Sequence, residues 1–290
     1  MKFAFVEKQR QHHPLWLLCR ALEVSVSGYY RWHSRRVSEA TPRQKANQQL
    51  SAAIQQVHVR SYGTYGCPRI HAQLRQQGWL CSKQRVARLM QQQGIRGKCK
   101  GQKRIATTDS RHALPVAANL LNQQFGAERP NTKWSADITY IPTAQGWLYL
   151  AVVLDLYSRK VVGWAMDTSM TTTLVERALQ AALIARRPAP GLLHHSDRGS
   201  QYASASYQAL MAQRRMQVSM SRTGNCYDNA VTESFFASLK VERVHHQHYA
   251  SPNEAKRDIF LYIEGFYNRF RLHSALGYLS PDQFECLLSP

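Results

Sequence analysis

Asp137, Asp197 and Glu233 are three carboxylates whose spacing and surroundings suit a single chemical task. Asp137 lies in WSADITY, inside the strand-like run from Trp134 to Ile141. Asp197 follows Leu192 and Leu193 in HHSDRGSQY, and Glu233 falls in the helical stretch DNAVTESFFASLK, with thirty-five residues between the last two acids. Cleaving and joining phosphodiesters at a pair of Mg²⁺ ions requires hard oxygen ligands. Carboxylates bridging or flanking metals about 3.5–4 Å apart stabilise the attacking and leaving oxygens of an in-line displacement. Mn²⁺ takes similar oxygen ligands and is not separated from Mg²⁺ by sequence. The set therefore points to polynucleotidyl transfer.

The elements that must carry these acids follow from residue periodicity. Three apolar strands are expected at Trp134–Ile141, Trp147–Leu154 and Lys160–Met166. A helix over 172–186, a short strand over 192–195, a helix over 204–214 and a short strand near 216–220 come next. Two longer helices, 229–244 and 252–270, close the pattern. Three antiparallel strands feeding alternating helix and strand is the order of a ribonuclease-H-like α/β fold. In such a sheet Asp137 on the first strand and Asp197 just after the fourth share one edge, and Glu233 reaches them from a helix.

Charge divides the 290-residue chain. Residues 1–120 carry 21 Lys/Arg and 4 Asp/Glu, 21 − 4 = +17, whereas residues 121–290 carry 17 and 14, 17 − 14 = +3. A basic front half joined to a nearly balanced back half fits a polyanion-gripping module attached to a catalytic domain, with DNA as the expected partner. The longest uninterrupted apolar run, Trp147 to Leu154, is eight residues, too short for a membrane span. MKFAFVEKQRQHHP lacks the apolar region of a secretory signal. The six cysteines are scattered without a C-x-x-C pair, which argues for a reduced cytoplasmic protein and against a zinc site at His12, His13 and Cys19.

The front half is expected to be helical over 1–60, with a helix-turn-helix in 61–96, a basic linker over 97–130 and the catalytic core over 131–290. In YGCPRIHAQLRQQGWLCSKQRVARLMQQQGIRG, Pro68 suits a helix start and Gly78 its end. Ser82 can cap a second helix that Gly94 terminates. Val86, Leu89 and Met90 form the apolar stripe of that second helix, leaving Lys83, Arg85 and Arg88 as a DNA-facing set; an ordinary hairpin with a solvated basic face is the alternative. In the linker, Lys98, Lys100, Lys103 and Arg104 suit either a segment lying along phosphates or a soluble tether.

Several long blocks in register resemble a known family. WSADITYI, LAVVLDLYSRKVVGW, HSDRGSQYAS, SRTGNCYDNAVTESFFASLKVE and YNRFRLHSALGYLSP are similar to those of the OrfB-type transposases of two-frame bacterial insertion sequences, the IS-three family within the retroviral-integrase-like DDE superfamily. SGYYRW and the helix-turn-helix block resemble its front half. The resemblance implies that Asp137, Asp197 and Glu233 form the catalytic set, that they bind two Mg²⁺, and that Lys240 is the basic residue seven positions after the glutamate. Helical spacing independently puts Glu233, Ala237 and Lys240 on one face. The resemblance also implies action on the element's terminal inverted repeats and on target DNA, and assembly as a homo-oligomer on DNA. The family's complete protein carries an upstream leucine zipper, and no apolar heptad is sustained in residues 1–60, so the resemblance implies a partner from the upstream frame, as a separate DNA-binding protein or a fusion.

Other positions carry quieter expectations. Asp155 is read as shaping a turn with Ser158, His194 and His195 as packed or exposed rather than as bases, and Asp228 as a helix cap at the end of a mobile loop over 221–229. Arg271 is left between phosphate contact and tertiary anchoring. Ser280 and Gln283 have the form of a capping box. Two rivals stand beside the transposase: a DNA-binding regulator with a silent catalytic fold, which the intact acidic set opposes, and a nuclease that hydrolyses without joining.

Overall fold

The computed structural model describes residues 1–37, 41–98, 116–222 and 226–288. They divide into two compact units, residues 1–53 and 54–290. In the first, helices α1 (Lys2–Gln9), α2 (Leu15–Ala21) and α3 (Val26–Val37) close over a small core of Val6, Leu18, Cys19 and Tyr29. The Tyr29 hydroxyl donates to Glu7 and accepts from Arg10 at 3.0 Å, which satisfies a phenol that the packing has otherwise buried. Cys19 is a core residue of this unit, and α1 is an element that the periodicity of the sequence did not reveal.

Helix α4 (Pro42–Arg60) runs through the boundary into the second unit. There α5 (Cys67–Gln76) and α6 (Lys83–Gln92) form the expected pair. Pro68 occupies the first turn of α5, and the Ser82 hydroxyl accepts from Arg85 N at 3.2 Å to cap α6. Ile70 and Leu74 of α5 are buried, as are Val86, Leu89 and Met90 of α6. Gly97 then passes so close to Gly66 that an added Cβ would lie 2.5 Å from Gly66 N, so the chain leaving the pair returns to the point where it began.

Strands β1 (Lys133–Thr143), β2 (Gly146–Asp155), β3 (Val161–Asp167), β4 (Leu193–Ser196) and β5 (Gln217–Met220) form one sheet in the order β3-β2-β1-β4-β5. The β1–β2 and β2–β3 pairs are antiparallel, and β1–β4 and β4–β5 are parallel. Helix α7 (Thr172–Arg186) supplies the crossover to β4, and the short α8 (Ser200–Ala203) with α9 (Ala205–Gln213) leads to β5. This is the ribonuclease-H-like arrangement. Leu174, Val175, Leu179 and Leu183 of α7 pack on Trp134, Val153 and Val162 of the sheet, each buried side chain contributing roughly 1.5–3 kcal/mol. Contact is closest at Gly163, where a Cβ would meet Ala178 O at 2.4 Å and Ala182 N at 2.5 Å. Any side chain there would lever α7 off the sheet.

Helix α10 (Ala230–Glu242) follows, then α11 (Pro252–Phe260). The single helix expected over 252–270 does not persist. From Leu261 to Tyr267 the chain winds as a π-helix, and Asn268 ends it by gripping β3 through Val161 N and O, both at 3.0 Å. Those paired bonds to a strand edge outweigh one further helical turn. A final helix, α12 (Pro281–Leu288), starts with the Ser280–Gln283 capping box in place: Gln283 N donates to Ser280 Oγ at 3.2 Å and Ser280 N to Gln283 Oε1 at 3.0 Å. Among the described residues no helix is long and apolar enough to cross a membrane.

Candidate active site

Asp137 sits mid-strand on β1 opposite Val152 of β2. On its other side β1 pairs with β4, Ser135 lying beside His195. Strand β4 stops at Ser196, so Asp197 is the first residue off its end, where an open sheet presents ligand-binding side chains. Asp197 Oδ1 accepts from Gly199 N at 2.9 Å, an Asx turn that fixes the carboxylate. Glu233 lies in the first turn of α10.

What seats α10 on the sheet is a polar contact beside Asp137. Ser135 Oγ donates to the side-chain oxygen of Asn229 and shares a 2.7 Å hydrogen bond with Thr232 Oγ1. Asn229 Nδ2 returns to Ala136 O at 3.3 Å. Ser135, Asn229 and Thr232 are all buried, so this cluster is fully engaged and directional. It places the start of the Glu233 helix against the strand that holds Asp137. The sequence signal was faint: one serine in an apolar strand and two small polar residues before a glutamate.

The carboxylates influence one another. Burial, then the charge of Asp197 and more weakly that of Glu233, holds the Asp137 carboxyl well above the usual carboxylate range, while Ile138 N at 2.7 Å and the Lys240 charge pull it back. Asp137 therefore senses the charge of Asp197, just past the end of β4, and that of Glu233 on α10. Among the described residues no three His, Cys, Asp or Glu side chains are drawn tightly enough to share one ion. The chemistry of the three acids nonetheless fits a hard divalent cation: all donors are oxygen, and their mutual repulsion is what a cation would relieve.

Lys240, two turns along α10 from Glu233, places its ammonium 4.6 Å from the centroid of the Tyr140 ring. Burial lowers its pKa, and the Asp137 charge opposes that shift. Tyr140 meets the half-exposed Trp147 edge-on, with centroids 4.9 Å apart. Tyr202, in α8, is buried with a hydroxyl that has no hydrogen-bond partner among the described residues, and its phenol feels the charges of Asp137 and Asp197. Neither tyrosine stood out in the sequence, where each reads as an ordinary aromatic.

The remaining candidates resolve individually. His194 and His195 are packed: His194 meets the Tyr207 hydroxyl at 3.1 Å, and His195 bonds Ser219 at 2.9 Å and Ser221 at 3.1 Å. Asp155 is wholly buried and shapes its turn, accepting from Asn131 N at 2.7 Å, Tyr157 N at 2.9 Å and Trp134 Nε1 at 3.4 Å. The expected cap by Asp228 is not formed. Its carboxylate instead takes Arg222 N at 2.8 Å, the Arg222 guanidinium at 2.9 Å, Asn119 Nδ2 at 2.9 Å and Gln123 Nε2 at 3.1 Å, because an ion pair with amide donors outcompetes a lone helix amide. Arg271 is an anchor, buried and bonded to Glu242.

Of the expected DNA-facing residues, Lys83 and Arg88 are exposed and Arg85 partly exposed, away from the buried stripe of α6. Lys98 is not simply solvated: its ammonium donates to Glu242 O at 2.8 Å. Lys100, Lys103 and Arg104 lie outside the described residues, as does the middle of the 221–229 loop.

Comparison with known proteins agrees with this architecture. Residues 127–226 and 233–286 each match an integrase core domain, and residues 45–103 an HTH-like domain. The transposase InsF for insertion sequence IS3A of Escherichia coli is 45% identical over 285 residues, covering 98% of either chain. The insertion element IS600 protein of Shigella sonnei is 44% identical over 269 residues, 92% of this chain and 97% of that one. A chain of the simian T-cell lymphotropic virus intasome aligns with 81% of this chain and 74% of its own at a TM-score of 0.46 and 14% identity. The HTLV-2 integrase catalytic core domain in complex with magnesium aligns with 55% of this chain and 99% of its own, at a TM-score of 0.43 and 15% identity. A relative this similar along nearly the whole length, joined to an integrase-type sheet and a helix-turn-helix pair, makes this chain a member of the IS3-family transposases, which act in DNA transposition.

Proposed function

We propose that the chain cleaves DNA strands at the ends of an insertion sequence and transfers the freed ends, with Asp137, Asp197 and Glu233 as its catalytic carboxylates. The observation that carries this reading is placement: Asp137 lies on β1, Asp197 just past the end of the paired β4, and Glu233 in the first turn of the helix seated on β1 through Ser135 and Thr232. Acids arranged so that their charges disfavour one another mark a site built for a cationic or phosphoryl partner. Two Mg²⁺ or Mn²⁺ ions held by these residues would supply Lewis-acid activation of water, then of a freed 3′-hydroxyl, and charge stabilisation at the phosphoryl group. The chain's own part is placement. Asp137 is fixed by its strand, Asp197 by its Asx turn, and Glu233 by the Ser135–Asn229–Thr232 contact that seats its helix. Lys240, on the same helix, is aimed to bind a non-bridging phosphate oxygen.

In this reading Lys83, Arg85 and Arg88 of α6 grip the duplex backbone, and Lys100, Lys103 and Arg104 extend that grip. The terminal inverted repeats and the target are its DNA partners, and an upstream-frame DNA-binding protein, free or fused, supports end recognition. A homo-oligomer assembled on DNA in the bacterial cytoplasm would bring two ends together. The residues divide as 1–60 helical, 61–96 helix-turn-helix, 97–130 linker and 131–290 catalytic.

The deciding experiment is strand joining. The chain, with and without the upstream-frame protein, is incubated with labelled element-end DNA in Mg²⁺ or Mn²⁺ beside Glu233→Gln. Joined products from the unaltered chain and none from the variant are expected. Hydrolysis without joining would favour a nuclease, and binding without either reaction a silent DNA-binding protein.

A further inference from the structure

The far end of α10 is held by a second cluster, and it includes the helix-turn-helix. Glu242 is buried in the last turn of α10. Its carboxylate accepts from Arg271 Nε at 2.8 and 3.0 Å, from Arg271 Nη2 at 2.6 Å and from the Tyr262 hydroxyl at 2.9 Å, with Arg69 Nη1 at 3.6 Å. Arg271 also donates to Ser238 Oγ, one turn earlier on the helix, at 3.0 Å. Arg69 belongs to α5, the first helix of the helix-turn-helix pair. Its Nε donates to Leu272 O at 2.9 Å.

Neighbouring bonds repeat the pattern. The Tyr65 hydroxyl donates to Phe270 O at 3.0 Å and accepts from Leu272 N at 2.8 Å. Gln76 Nε2 reaches Tyr278 O at 2.8 Å, and Lys98, just beyond α6, caps Glu242 O. Residues 270–272 are thus clamped between α5 and α10 by directional bonds on both sides.

Stability alone does not require such an arrangement. Desolvating a carboxylate and a guanidinium is costly, and apolar residues of similar volume hold helices together at least as well. What a buried, fully bonded ion pair adds is a single allowed register. Glu242 is nine residues from Glu233, about 13 Å along the helix, so locking its side chain fixes the rotation and height at which Glu233 faces the sheet.

We propose that Glu242 and Arg271 are positioning residues. Together with Tyr65 and Arg69 they set the angle between the helix-turn-helix and α10, so that DNA held by the helix pair enters the carboxylate site with one phosphodiester in register. The proposal rests on the catalytic reading given above. It assigns the cluster to accuracy of the cut position, not to chemistry.

The test compares the full-length chain with Tyr65→Phe, Arg69→Met, Arg271→Lys and Glu242→Gln. Element-end duplex is cleaved at saturating protein, and products are mapped at nucleotide resolution with DNA affinity and circular dichroism measured alongside. Tyr65→Phe and Arg69→Met leave the Glu242–Arg271 pair intact and so keep the assay informative if the buried-pair variants unfold. The expected result is DNA affinity within about twofold of the unaltered chain and cuts spread over adjacent phosphates, with the charge-keeping Arg271→Lys retaining more of the single position than Glu242→Gln. Less product, all of it cut at the original phosphate in every folded variant, would overturn the proposal by reducing the cluster to a structural tie. Absence of cleavage by the unaltered chain, with and without the upstream-frame protein, would overturn the catalytic reading itself, a result distinguishable from the first.

Discussion

The Lys240 ammonium lies 4.6 Å from the centre of the Tyr140 ring, so the cation that follows Glu233 on α10 is steadied by the strand that carries Asp137. A lysine held this way keeps its stem ordered before DNA arrives, and less rotamer entropy is lost when a phosphate binds. Lys240→Ala should slow strand cleavage by about tenfold to 150-fold, the loss of one charged hydrogen bond of about 1.5–3 kcal/mol. Tyr140→Leu should have a smaller effect in the same direction, since a cation–π contact contributes about 0.5–2 kcal/mol. Single-turnover rates on a pre-bound duplex measure both, and an unchanged Lys240→Ala rate would remove it from the site.

Asp137 gives a stability prediction with a counterintuitive sign. Its folded pKa is raised by burial and by Asp197 and Glu233, so the folded state holds a proton that the unfolded chain releases at lower pH. Stability is therefore lost as pH rises through that window, and at neutral pH the ionised group weighs against folding. In metal-free buffer Asp137→Asn should melt at a higher temperature than the unaltered chain, although it should be inactive. Added Mg²⁺ should stabilise the unaltered chain and leave the variant unmoved. Equal melting temperatures with and without Mg²⁺ in the unaltered chain would count against cation binding at these acids.

The buried histidine pair predicts acid sensitivity. Burial pushes His194 down to about 3 and His195 to about 4, below the ordinary histidine value of about 6.5. A depressed histidine contributes stability that is whole above its unfolded pKa and is lost as pH falls below it. Each should cost about 2 kcal/mol between pH 7.5 and pH 5. Urea melts at the two pH values report the sum, and His194→Gln should flatten the difference by roughly half. A pH-independent midpoint would show that these rings are not buried neutral.

Asp155 separates structure from catalysis. Removing its carboxylate strands three donors, the buried Trp134 Nε1 and the part-buried Asn131 N and Tyr157 N. Asp155→Ala should therefore destabilise by about 3 kcal/mol or more, lowering the melting temperature by roughly 6–12 °C at this chain length. Cleavage per folded molecule, assayed well below that temperature, should be unaltered. Abolished cleavage in a folded variant would instead make Asp155 part of the site.

On DNA, removing one phosphate-binding side chain from α6 should lower the steepness of the salt dependence by about 0.9. Binding isotherms of Lys83→Ala, Arg85→Ala and Arg88→Ala across salt concentrations measure it. An unaltered slope in all three would leave α6 as a solvated hairpin.

The sheet and its helices were legible because apolar periodicity is a local property. Residues 133–167 alternate and run as strands should, and the helix over 172–186 falls at those bounds. The acids were proposed from long block contexts, which are also local in sequence. Seating of the site was not legible. Ser135 meets Thr232 across 97 positions and Arg271 meets Glu242 across 29, and pairings between small or charged side chains leave no periodic trace. Asp228 failed for a related reason: a cap is judged from its neighbours in sequence, whereas Asn119 and Gln123 reach it from more than a hundred residues upstream. The break at Leu261 was hidden because Tyr262, Ile263 and Phe266 keep a helical spacing through the change of pitch.

The bond between Tyr65 and Phe270 spans 205 positions, and that separation imposes an order in time. At about 5–20 residues per second, the helix pair leaves the ribosome some 10–40 s before the segment that will clamp it. During this interval the bonds from Tyr65 and Arg69 to residues 270–272 are still unmade. Synthesis thus separates the helix pair in time from the segment that ties it to α10, and a product that stops short of Phe270 would lack that tie.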